Sequence, residues 1–488
     1  MRFNYVIRAL SLILKDFGLV VFIPVLVAVY YQEFSMILPF AGAGFFSLFL
    51  SLILHRGFKL SDVEDSLNDI KRPEALMVVL ISWIMISVIA AMPYMFSGMS
   101  FINSLFESVS GITTTGATIL DNYDIGKTLL FWRSFTQWIG GMGIIVLFVA
   151  ILPQFAVAGR QMFFAEAPGP TEDKITPRIK HTASVLWIIY AGFTLLCILL
   201  LWFAGMPLFD SVCNAFSTLA AGGFSPNPNS IAGYNSQIIT WIIIIFMFIA
   251  GTSFVLLSKV LAKRKLSLMW KNEEFRFYTI AILAISLGIA VILFVQQGYS
   301  AYHSITAALY QTITLATSTG SASEDYRLWV FDAKILLFIA MFLSSCAGSA
   351  GGGVKITRII IIFKYLKNEL YKILHPKAVL SIKIDGKVIP TDVIRQTLFF
   401  VMCYIAIWAV SSMFLAIIEQ DVSLALVSSI SALGDIGPDI GYKIGPMGSF
   451  SSLHWISKAI LIFEMLIGRL EIIPFIVMFH KDFWNFKK

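Results

Sequence analysis

Ten apolar runs, each long enough to cross a lipid bilayer, divide this 488-residue chain. They fall at residues 8–31, 36–55, 75–96, 128–152, 182–204, 237–262, 276–297, 333–367, 393–418 and 453–480. A backbone inside a bilayer must satisfy its own hydrogen bonds, so runs of this length predict α-helices. Hydrophobic residues make up 58% of the chain and the mean hydropathy is +0.82, values typical of an all-α polytopic membrane protein.

A shorter apolar segment that ends in a glycine-centred turn separates four pairs of these runs. The turns lie at Gly116, Gly223, Gly320 and Gly437, so a unit of helix, half-helix, turn and helix recurs roughly every hundred residues. Four such turns at membrane depth can supply a ring of backbone carbonyls around an ion. The predicted divisions are an N-terminal two-helix extension (1–72) and four repeats (73–158, 159–265, 266–372 and 373–488).

Charge predicts the orientation of the chain. Lys and Arg concentrate in the loops 56–74, 153–181, 259–276 and 355–395, which places these loops and both termini in the cytoplasm and the glycine turns on the outer side. The outer loops hold acids instead, including Glu107, Asp435 and Asp439. An acidic outer mouth would attract cations, although a simple lack of Lys and Arg in outer loops is the alternative. Each half-helix would also direct its negative C-terminal end at the pathway.

Other functional classes find little support. The net charge of +7 does not indicate nucleic-acid binding, because the basic residues form no groove with interleaved aromatic residues. The scattered histidines predict no metal site, and no nucleophile elbow or catalytic carboxylate pair is evident. An intramembrane enzyme would need polar groups on facing helices, and Arg469 is the one such residue identified. We therefore expect neither an enzyme nor a covalent cofactor.

Several motifs together resemble one family of transporters. The four turns read Thr114-Thr115-Gly116, Gly222-Gly223-Phe224, Thr319-Gly320 and Ile436-Gly437-Pro438, and the stretches 137–143, 348–355 and 468–471 add Gln-Trp-Ile-Gly-Gly-Met-Gly, Gly-Ser-Ala-Gly-Gly-Gly-Val-Lys and Gly-Arg-Leu-Glu. With these motifs and its two extra N-terminal helices, the whole chain resembles the Trk/Ktr/HKT superfamily of potassium transporters, in particular the bacterial Trk-type membrane subunit.

The resemblance implies a pseudo-fourfold pore whose selectivity filter comes from one chain. The implied filter residues are Thr114, Thr115, Gly116, Ala221, Gly222, Gly223, Thr319, Gly320, Ile436 and Gly437. The implied K⁺ ligands are Thr114, Thr115, Gly222, Thr319, Asp435 and Ile436. Sodium-selective members carry serine at the first filter glycine, so Gly116 favours potassium. Asp435 departs from the family pattern, in which an amide is frequent, and a carboxylate there would raise cation affinity or alter discrimination.

The stretch 344–353 interrupts the second helix of the third repeat with glycines, and glycine weakens a helix by about 1 kcal/mol per residue. We interpret it as an intramembrane loop below the filter, which the family uses as a gate, with Gly348, Gly351, Gly352 and Gly353 as gating residues. Close helix packing and a nucleotide-binding loop are the alternatives. The second fits poorly, because Val354 stands where a P-loop needs lysine and Ile356 follows Lys355.

Arg469 and Arg133 lie within apolar runs, where a charge is costly and usually faces a cavity or a partner. The resemblance places Arg469 below the filter, where it contacts the gating loop or repels cations. The alternative is a structural pair with Glu464 or, less favourably, Glu471. Arg133, near the outer start of its run, is predicted to snorkel to the interface.

These inferences lead to one leading function. We expect potassium uptake across the bacterial cytoplasmic (inner) membrane by a multi-pass, lipid-embedded protein, with K⁺ as the transported ion. The resemblance implies a homodimer and a cytosolic nucleotide-binding regulatory ring, for which no domain is evident in this sequence. The alternative is a proton- or sodium-coupled cation symporter, with Glu464 as the evident acid for a relay.

Overall fold

The computed structural model describes residues 3–57, 72–150 and 175–484. Much of the predicted basic loops 56–74 and 153–181 lies outside the described residues. In chain order, the first helices are α1 (Phe3–Val20), α2 (Ile23–Tyr30), α3 (Ile37–Gly57), α4 (Arg72–Phe96), α5 (Phe101–Ile112), α6 (Lys127–Ala150), α7 (Ile175–Phe203), α8 (Leu208–Leu219), α9 (Gln237–Ala250) and α10 (Phe254–Lys263). The rest are α11 (Ser267–Lys271), α12 (Glu273–Gln296), α13 (Ala301–Ala316), α14 (Phe331–Phe342), α15 (Ile356–Leu374), α16 (Thr391–Glu419), α17 (Val422–Leu433), α18 (Trp455–Leu470) and α19 (Ile472–Val477).

The predicted all-α fold is confirmed. By length and composition, the described residues hold six helices able to cross a membrane, or seven if α9 and α10 count as one bent span. In α16, 17% of the apolar 18-residue stretch is buried, so most of this helix faces outward. Large apolar side chains such as Phe45, Leu287 and Met402 are exposed, as lipid contact requires.

Four short helices, called the pore helices because they correspond to the predicted half-helices of the pore, follow the long helices α4, α7, α12 and α16. They are α5, α8, α13 and α17, and each packs against the long helix before it. Each pore helix also packs against a helix from the neighbouring unit: α8 against α6, α13 against α9, α17 against α14, and α5 against α18. Because the last pair joins the fourth unit to the first, the four units close into a ring.

The N-terminal helices pack on the first unit of this ring. Helix α1 contacts α3 and α4, and α2 contacts α6. The Glu33 carboxylate, between α2 and α3, accepts hydrogen bonds from the amides of Lys127 (2.7 Å) and Thr128 (2.9 Å) at the start of α6. A carboxylate at a helix N-terminus satisfies unpaired amides and favours the helix dipole, so the extension stabilises α6.

The prediction of a single helix across 237–262 is wrong, because α9 and α10 meet at an angle of 99°. The break falls at Gly251, Thr252 and Ser253. A side chain at Gly251 would meet Thr317 Cγ2 at 2.7 Å as well as the Tyr278 hydroxyl, so only glycine allows this close packing.

The predicted break in the run 333–367 lies between α14 and α15, at residues 343–355, called the glycine loop below. It is slightly longer than the predicted stretch 344–353. Further along, the chain forms a small antiparallel hairpin of β1 (Lys383–Ile384) and β2 (Lys387–Val388). The hairpin residue Asp385 accepts hydrogen bonds from Asn272 Nδ2 (2.8 Å) and the Glu273 amide (2.6 Å), which attaches the hairpin to the start of α12.

Candidate functional site

The four glycine turns share one backbone conformation. In each turn, the glycine and the residue two positions before it both have positive φ. The first residues are Thr114 (57°), Ala221 (55°), Ser318 (56°) and Asp435 (53°), and the glycines are Gly116 (84°), Gly223 (75°), Gly320 (74°) and Gly437 (100°). Left-handed backbone is uncommon outside glycine and tends to occur at functional sites, so its fourfold recurrence marks these turns as equivalent.

Each turn is attached to its pore helix in the same way. The amide before the glycine donates to a carbonyl near the end of the pore helix. The four bonds are Thr115 N to Ser110 O (2.9 Å), Gly222 N to Ser217 O (2.9 Å), Thr319 N to Thr314 O (2.8 Å) and Ile436 N to Ser431 O (2.8 Å). These bonds fix each turn at the negative end of a helix dipole, an environment that favours a cation.

The four turns touch one another in chain order and close into a ring. A Cβ atom built on each glycine would collide with a carbonyl oxygen of the next turn. The pairs are Gly116 with Gly222 O, Gly223 with Thr319 O, Gly320 with Ile436 O, and Gly437 with Thr115 O. The last pair returns from the fourth turn to the first. Four of the six predicted K⁺ ligands supply these oxygens, and all the predicted filter residues lie in the ring.

The other two predicted ligands, Thr114 and Asp435, occupy equivalent positions in the first and fourth turns. Both are fully buried. Asp435 Oδ1 accepts a hydrogen bond from the Thr115 hydroxyl at 3.0 Å, whereas Asp435 Oδ2 and Thr114 Oγ1 have no hydrogen-bond partner among the described residues. Unpaired buried oxygens are costly, so both atoms can serve as cation ligands.

An open cavity, called the vestibule, adjoins the ring and is lined by all four turn glycines. The segment 445–450, which follows the fourth turn, forms part of its wall together with Thr118, Arg133 and Phe224. The Phe450 amide donates to the Thr118 carbonyl at 2.8 Å, which joins the fourth unit to the first. The vestibule is therefore an approach to the ring that several units build together.

The prediction that Arg133 snorkels to the membrane interface is wrong. Its side chain is 1% exposed, and Nε lies 2.7 Å from Oε1 of the fully buried Glu107 on α5. Because that partner lies on another helix, the position of Arg133 in its apolar run does not reveal it. Glu107, Asp435 and Asp439 are all buried, so these three acids do not contribute to an exposed acidic mouth.

Gln137 is a bracing residue whose role sequence reasoning did not identify, although its motif was noted. Its Nε2 donates to the Gly222 carbonyl at 2.6 Å, and its Oε1 accepts from the Phe224 amide at 3.1 Å. The side chain thus spans the second glycine turn from α6. A polar residue among aromatic neighbours in a predicted span was the available signal.

The glycine loop lies against the broken end of α9. The amides of Cys346 and Ala350 donate to the carbonyls of Gly251 (2.9 Å) and Ala250 (3.2 Å), and the Phe254 amide donates to the Gly348 carbonyl (3.0 Å). Backbone without regular structure is tolerated at membrane depth only where protein or water satisfies it. The bend and the loop therefore satisfy each other's backbone hydrogen-bonding groups.

The same loop touches the base of the ring. The Gly352 amide donates to the Ser318 hydroxyl at 2.7 Å. A methyl group at Gly351 would lie 2.6 Å from the Thr317 carbonyl oxygen, and one at Gly352 would lie 2.6 Å from the Gly434 carbonyl oxygen. Two of the four predicted gating glycines thus contact the third and fourth turns directly, on the side of the pore-helix ends.

Arg469 joins this loop to the first unit. Its Nη1 donates to the Ala350 carbonyl at 2.9 Å and its Nη2 to the Gly140 carbonyl at 3.3 Å, while the side chain is buried. The alternative pairings are not observed, because Glu471 pairs with Arg358 at 2.6 Å and Glu464 accepts from the Ser429 hydroxyl at 2.5 Å. Of the two roles that the resemblance implies for Arg469, contact with the glycine loop or repulsion of cations, the contact is observed as this hydrogen bond to Ala350, and a part in gating stays a prediction.

Two further charged residues hold the loop, and sequence reasoning missed both. Lys355 Nζ donates to the hydroxyls of Ser345 (3.1 Å) and Ser349 (3.4 Å) and to the Gly351 carbonyl. Glu274, on α12, accepts from the Ala347 amide at 2.7 Å and from Thr357 at the start of α15. In the sequence, Lys355 stands out only as part of the 348–355 motif and in the comparison with a P-loop, and no sequence pattern singles out Glu274.

Comparison with known proteins gives one consistent result. The family model TrkH, described as a cation transport protein, matches residues 42–485. The Trk system potassium uptake protein TrkH of Salmonella typhimurium is 35% identical, over 99% of this chain and 100% of that protein. The corresponding TrkG of Escherichia coli K12 is 31% identical, over 95% of this chain and 94% of its own length. The crystal structure of the potassium transporter TrkH from Vibrio parahaemolyticus superposes with a TM-score of 0.90 at 31% identity, over 99% and 100% of the two chains.

Proposed function

This chain belongs to the TrkH family of cation transport proteins, and from that premise we propose that it takes up potassium through the ring of glycine turns. It does so as a multi-pass protein of the bacterial cytoplasmic membrane, with both termini in the cytoplasm. The closed ring of four equivalent turns is the observation that supports this proposal most strongly. In such a ring, backbone carbonyl oxygens take the place of the water molecules that hydrate K⁺.

The carbonyls of Thr115, Gly222, Thr319 and Ile436 form one shared coordination level of this filter. Their oxygens belong to a backbone that the glycines keep close-packed, so the size of the ring is fixed by contacts between neighbouring turns. The glycine at position 116 fits the potassium-selective pattern that the family resemblance implies. Thr114 and Asp435 supply further oxygens at the base of the ring.

The glycine loop is the gate of this pathway. It touches the base of the ring through Gly351 and Gly352, and Arg469 holds it through the Ala350 carbonyl. Gly348 and Gly353 have positive φ at either side of this contact, so they shape the turn that presents the loop to the ring. Conduction requires that the loop move away from Ser318 and Asp435.

A cytosolic nucleotide-binding ring controls the gate, and the chain acts as a homodimer. The hairpin β1–β2 and the basic residues around it form the surface available for such a partner, in the predicted cytoplasmic segment 355–395. The hairpin is attached to the start of α12 through Asp385, and Glu274 on α12 holds the glycine loop. A displacement of the hairpin would therefore reach the loop through one helix end.

A proton- or sodium-coupled symporter is the second candidate. It is favoured by two buried acids at membrane depth, Glu464 and Asp435, each with one carboxylate oxygen lacking a hydrogen-bond partner among the described residues. Such oxygens can bind and release a coupling ion. Passive conduction needs no such exchange.

Rubidium uptake into proteoliposomes distinguishes the candidates. We expect uptake along a Rb⁺ or K⁺ gradient alone, competed by K⁺ but not by equal Na⁺. A strict requirement for an imposed proton or sodium gradient would favour the symporter. If no cation flux appears, or if flux appears and Gly116→Ser has no effect on it, the filter assignment is wrong.

A further inference from the structure

A buried ion pair lies behind the first two turns of the ring, on the vestibule side. Glu107 belongs to the pore helix α5, and Arg133 belongs to α6. Their side chains are 0% and 1% exposed, and Arg133 Nε lies 2.7 Å from Glu107 Oε1. A buried pair needs further hydrogen bonds to offset its loss of hydration, so the partners of this pair indicate what it holds in place.

Those partners are in the segments that leave the first two turns. Glu107 Oε2 accepts from the Ile119 amide at 2.9 Å, and both its oxygens lie 3.0 Å from the Thr118 hydroxyl. Arg133 Nη2 donates to the same Thr118 hydroxyl at 3.1 Å, and Nη1 donates to the Ser225 carbonyl at 3.4 Å. Thr118 and Ser225 are each two residues beyond their turn glycine, so one ion pair joins equivalent points of two neighbouring turns.

The guanidinium also packs against an aromatic ring of the second turn. It lies 4.2 Å from the ring centroid of Phe224, which directly follows Gly223, and 5.1 Å from that of Tyr123. Cation–π contacts of this kind gain strength where water is excluded. Arg133 therefore fixes both the backbone and the first side chain after Gly223.

Among the described residues, no fully buried ion pair braces the other two turns. The residues equivalent to Glu107 are Asn214, Gln311 and Ser428. In the fourth unit the acid and the hydroxyl exchange places, since Ser428 Oγ donates to Asp439 Oδ2 at 3.0 Å. Within the described residues Asp439 forms no ion pair, whereas Glu107 does. The ring is thus stiffened by charge on one side.

We propose that Glu107 and Arg133 determine the ion selectivity of the ring by fixing the separation of its first two turns. They are positioning residues rather than ligands, and the inference rests on the proposed potassium pathway. A smaller cation such as Na⁺ is coordinated well only if the carbonyls move inward. Charge-assisted hydrogen bonds to Thr118, Ile119 and Ser225 oppose that movement. Without the brace, the ring adapts to Na⁺.

The test measures the Na⁺-to-K⁺ permeability ratio from reversal potentials of the reconstituted full-length protein. Thr118→Val removes the shared hydroxyl without leaving a buried charge unpaired, and Arg133→Lys keeps the charge but loses the planar fork. We expect each variant to raise the ratio by about tenfold, the effect of losing one hydrogen bond to a charged group. Glu107→Gln should raise it further, with K⁺ current still measurable.

Lys372→Gln is the control, because it breaks the half-exposed pair with Glu369 (2.8 Å), which lies within helix α15, outside the ring turns and the vestibule wall. Its permeability ratio should equal that of the wild type. Melting temperatures of all variants separate loss of fold from loss of selectivity. A wild-type ratio in Thr118→Val and Arg133→Lys, with wild-type melting, would overturn the inference. An unselective wild-type protein would instead contradict the proposed function.

Discussion

At the residue scale, the turn glycines carry the most information, and the sequence predicts all four. The turn glycines can be recognised because each follows an apolar half-helix, at a position where the backbone freedom of glycine allows a turn. Arg133 was not predictable in this way, because its meaning depends on Glu107 from another helix. Asp435 stands between these cases: its departure from the family pattern is visible in the sequence, but its contact with Thr115 comes from ring closure.

Gly320→Ala should reduce rubidium uptake by at least about tenfold, because left-handed backbone costs an alanine about 1–2 kcal/mol and the methyl group would collide with the Ile436 carbonyl. The matched control is Gly298→Ala, which has a similar φ of 71° but nothing within 4 Å of its Cβ. Equal uptake by the two variants would show that close packing at Gly320 is irrelevant to conduction.

A second residue-scale prediction concerns outside pH. Burial raises the pKa of Asp439, in the segment after the fourth turn, to about 6, while the hydrogen bonds from the Gly441 amide and the Ser428 hydroxyl oppose that rise and the nearby Asp421 adds to it. Asp439 is therefore charged above this pH and protonated below it. Uptake should fall as the outside pH drops from about 7.5 to about 5, because protonation of Asp439 removes a negative charge beside the fourth turn. Both pH values lie about 1 unit or more from the pKa of Asp439. Asp439→Asn should abolish this pH dependence, and a wild-type profile in that variant would exclude Asp439 as its origin.

At the scale of elements, the glycine loop could be predicted and the bend between α9 and α10 could not. The sequence of the loop is recognisable by its density of glycine. The sequence of the bend is that of an ordinary apolar run with one Gly-Thr-Ser step. The bend is stable because Cys346 and Ala350, nearly a hundred residues away, donate to its free carbonyls. No local pattern contains that information.

Gly352→Ala should raise potassium flux in the absence of any cytosolic partner. The added methyl group would lie 2.6 Å from the Gly434 carbonyl oxygen and 2.8 Å from Asp435 Cβ, so the loop must move away from the base of the ring. Gly192→Ala, in helix α7 with nothing within 4 Å, serves as the control. Single-channel recording would report an increased open fraction, and an unchanged or lower one would argue against the loop as the gate.

At the scale of the whole molecule, the number of repeats and their equivalence follow from the spacing of the turns. Their order around the ring does not, because it depends on contacts such as α5 with α18 and Gly437 with Thr115 between distant parts of the chain. The repeat boundaries and the orientation in the membrane stay predictions. Orientation is the more easily tested of the two.

Cysteine labelling tests the orientation. In a Cys403→Ser background, where the other three cysteines are buried, Tyr442→Cys should react with a membrane-impermeant maleimide added to intact cells. Val379→Cys should react only after permeabilisation, since it lies in the predicted cytoplasmic segment 355–395. Both positions are well exposed, at 76% and 99%, so access depends on the side of the membrane. The reverse labelling pattern would show that the orientation is opposite to the predicted one.

Whether the four glycine turns form one potassium-selective filter is tested most directly by a crystal structure of the protein grown in Rb⁺, with the ion located by its anomalous scattering. We expect Rb⁺ within the ring, coordinated by the carbonyls of Thr115, Gly222, Thr319 and Ile436, and replaced by K⁺ but not by Na⁺. Ordered Rb⁺ at another place in the membrane region, with none in the ring, would contradict it.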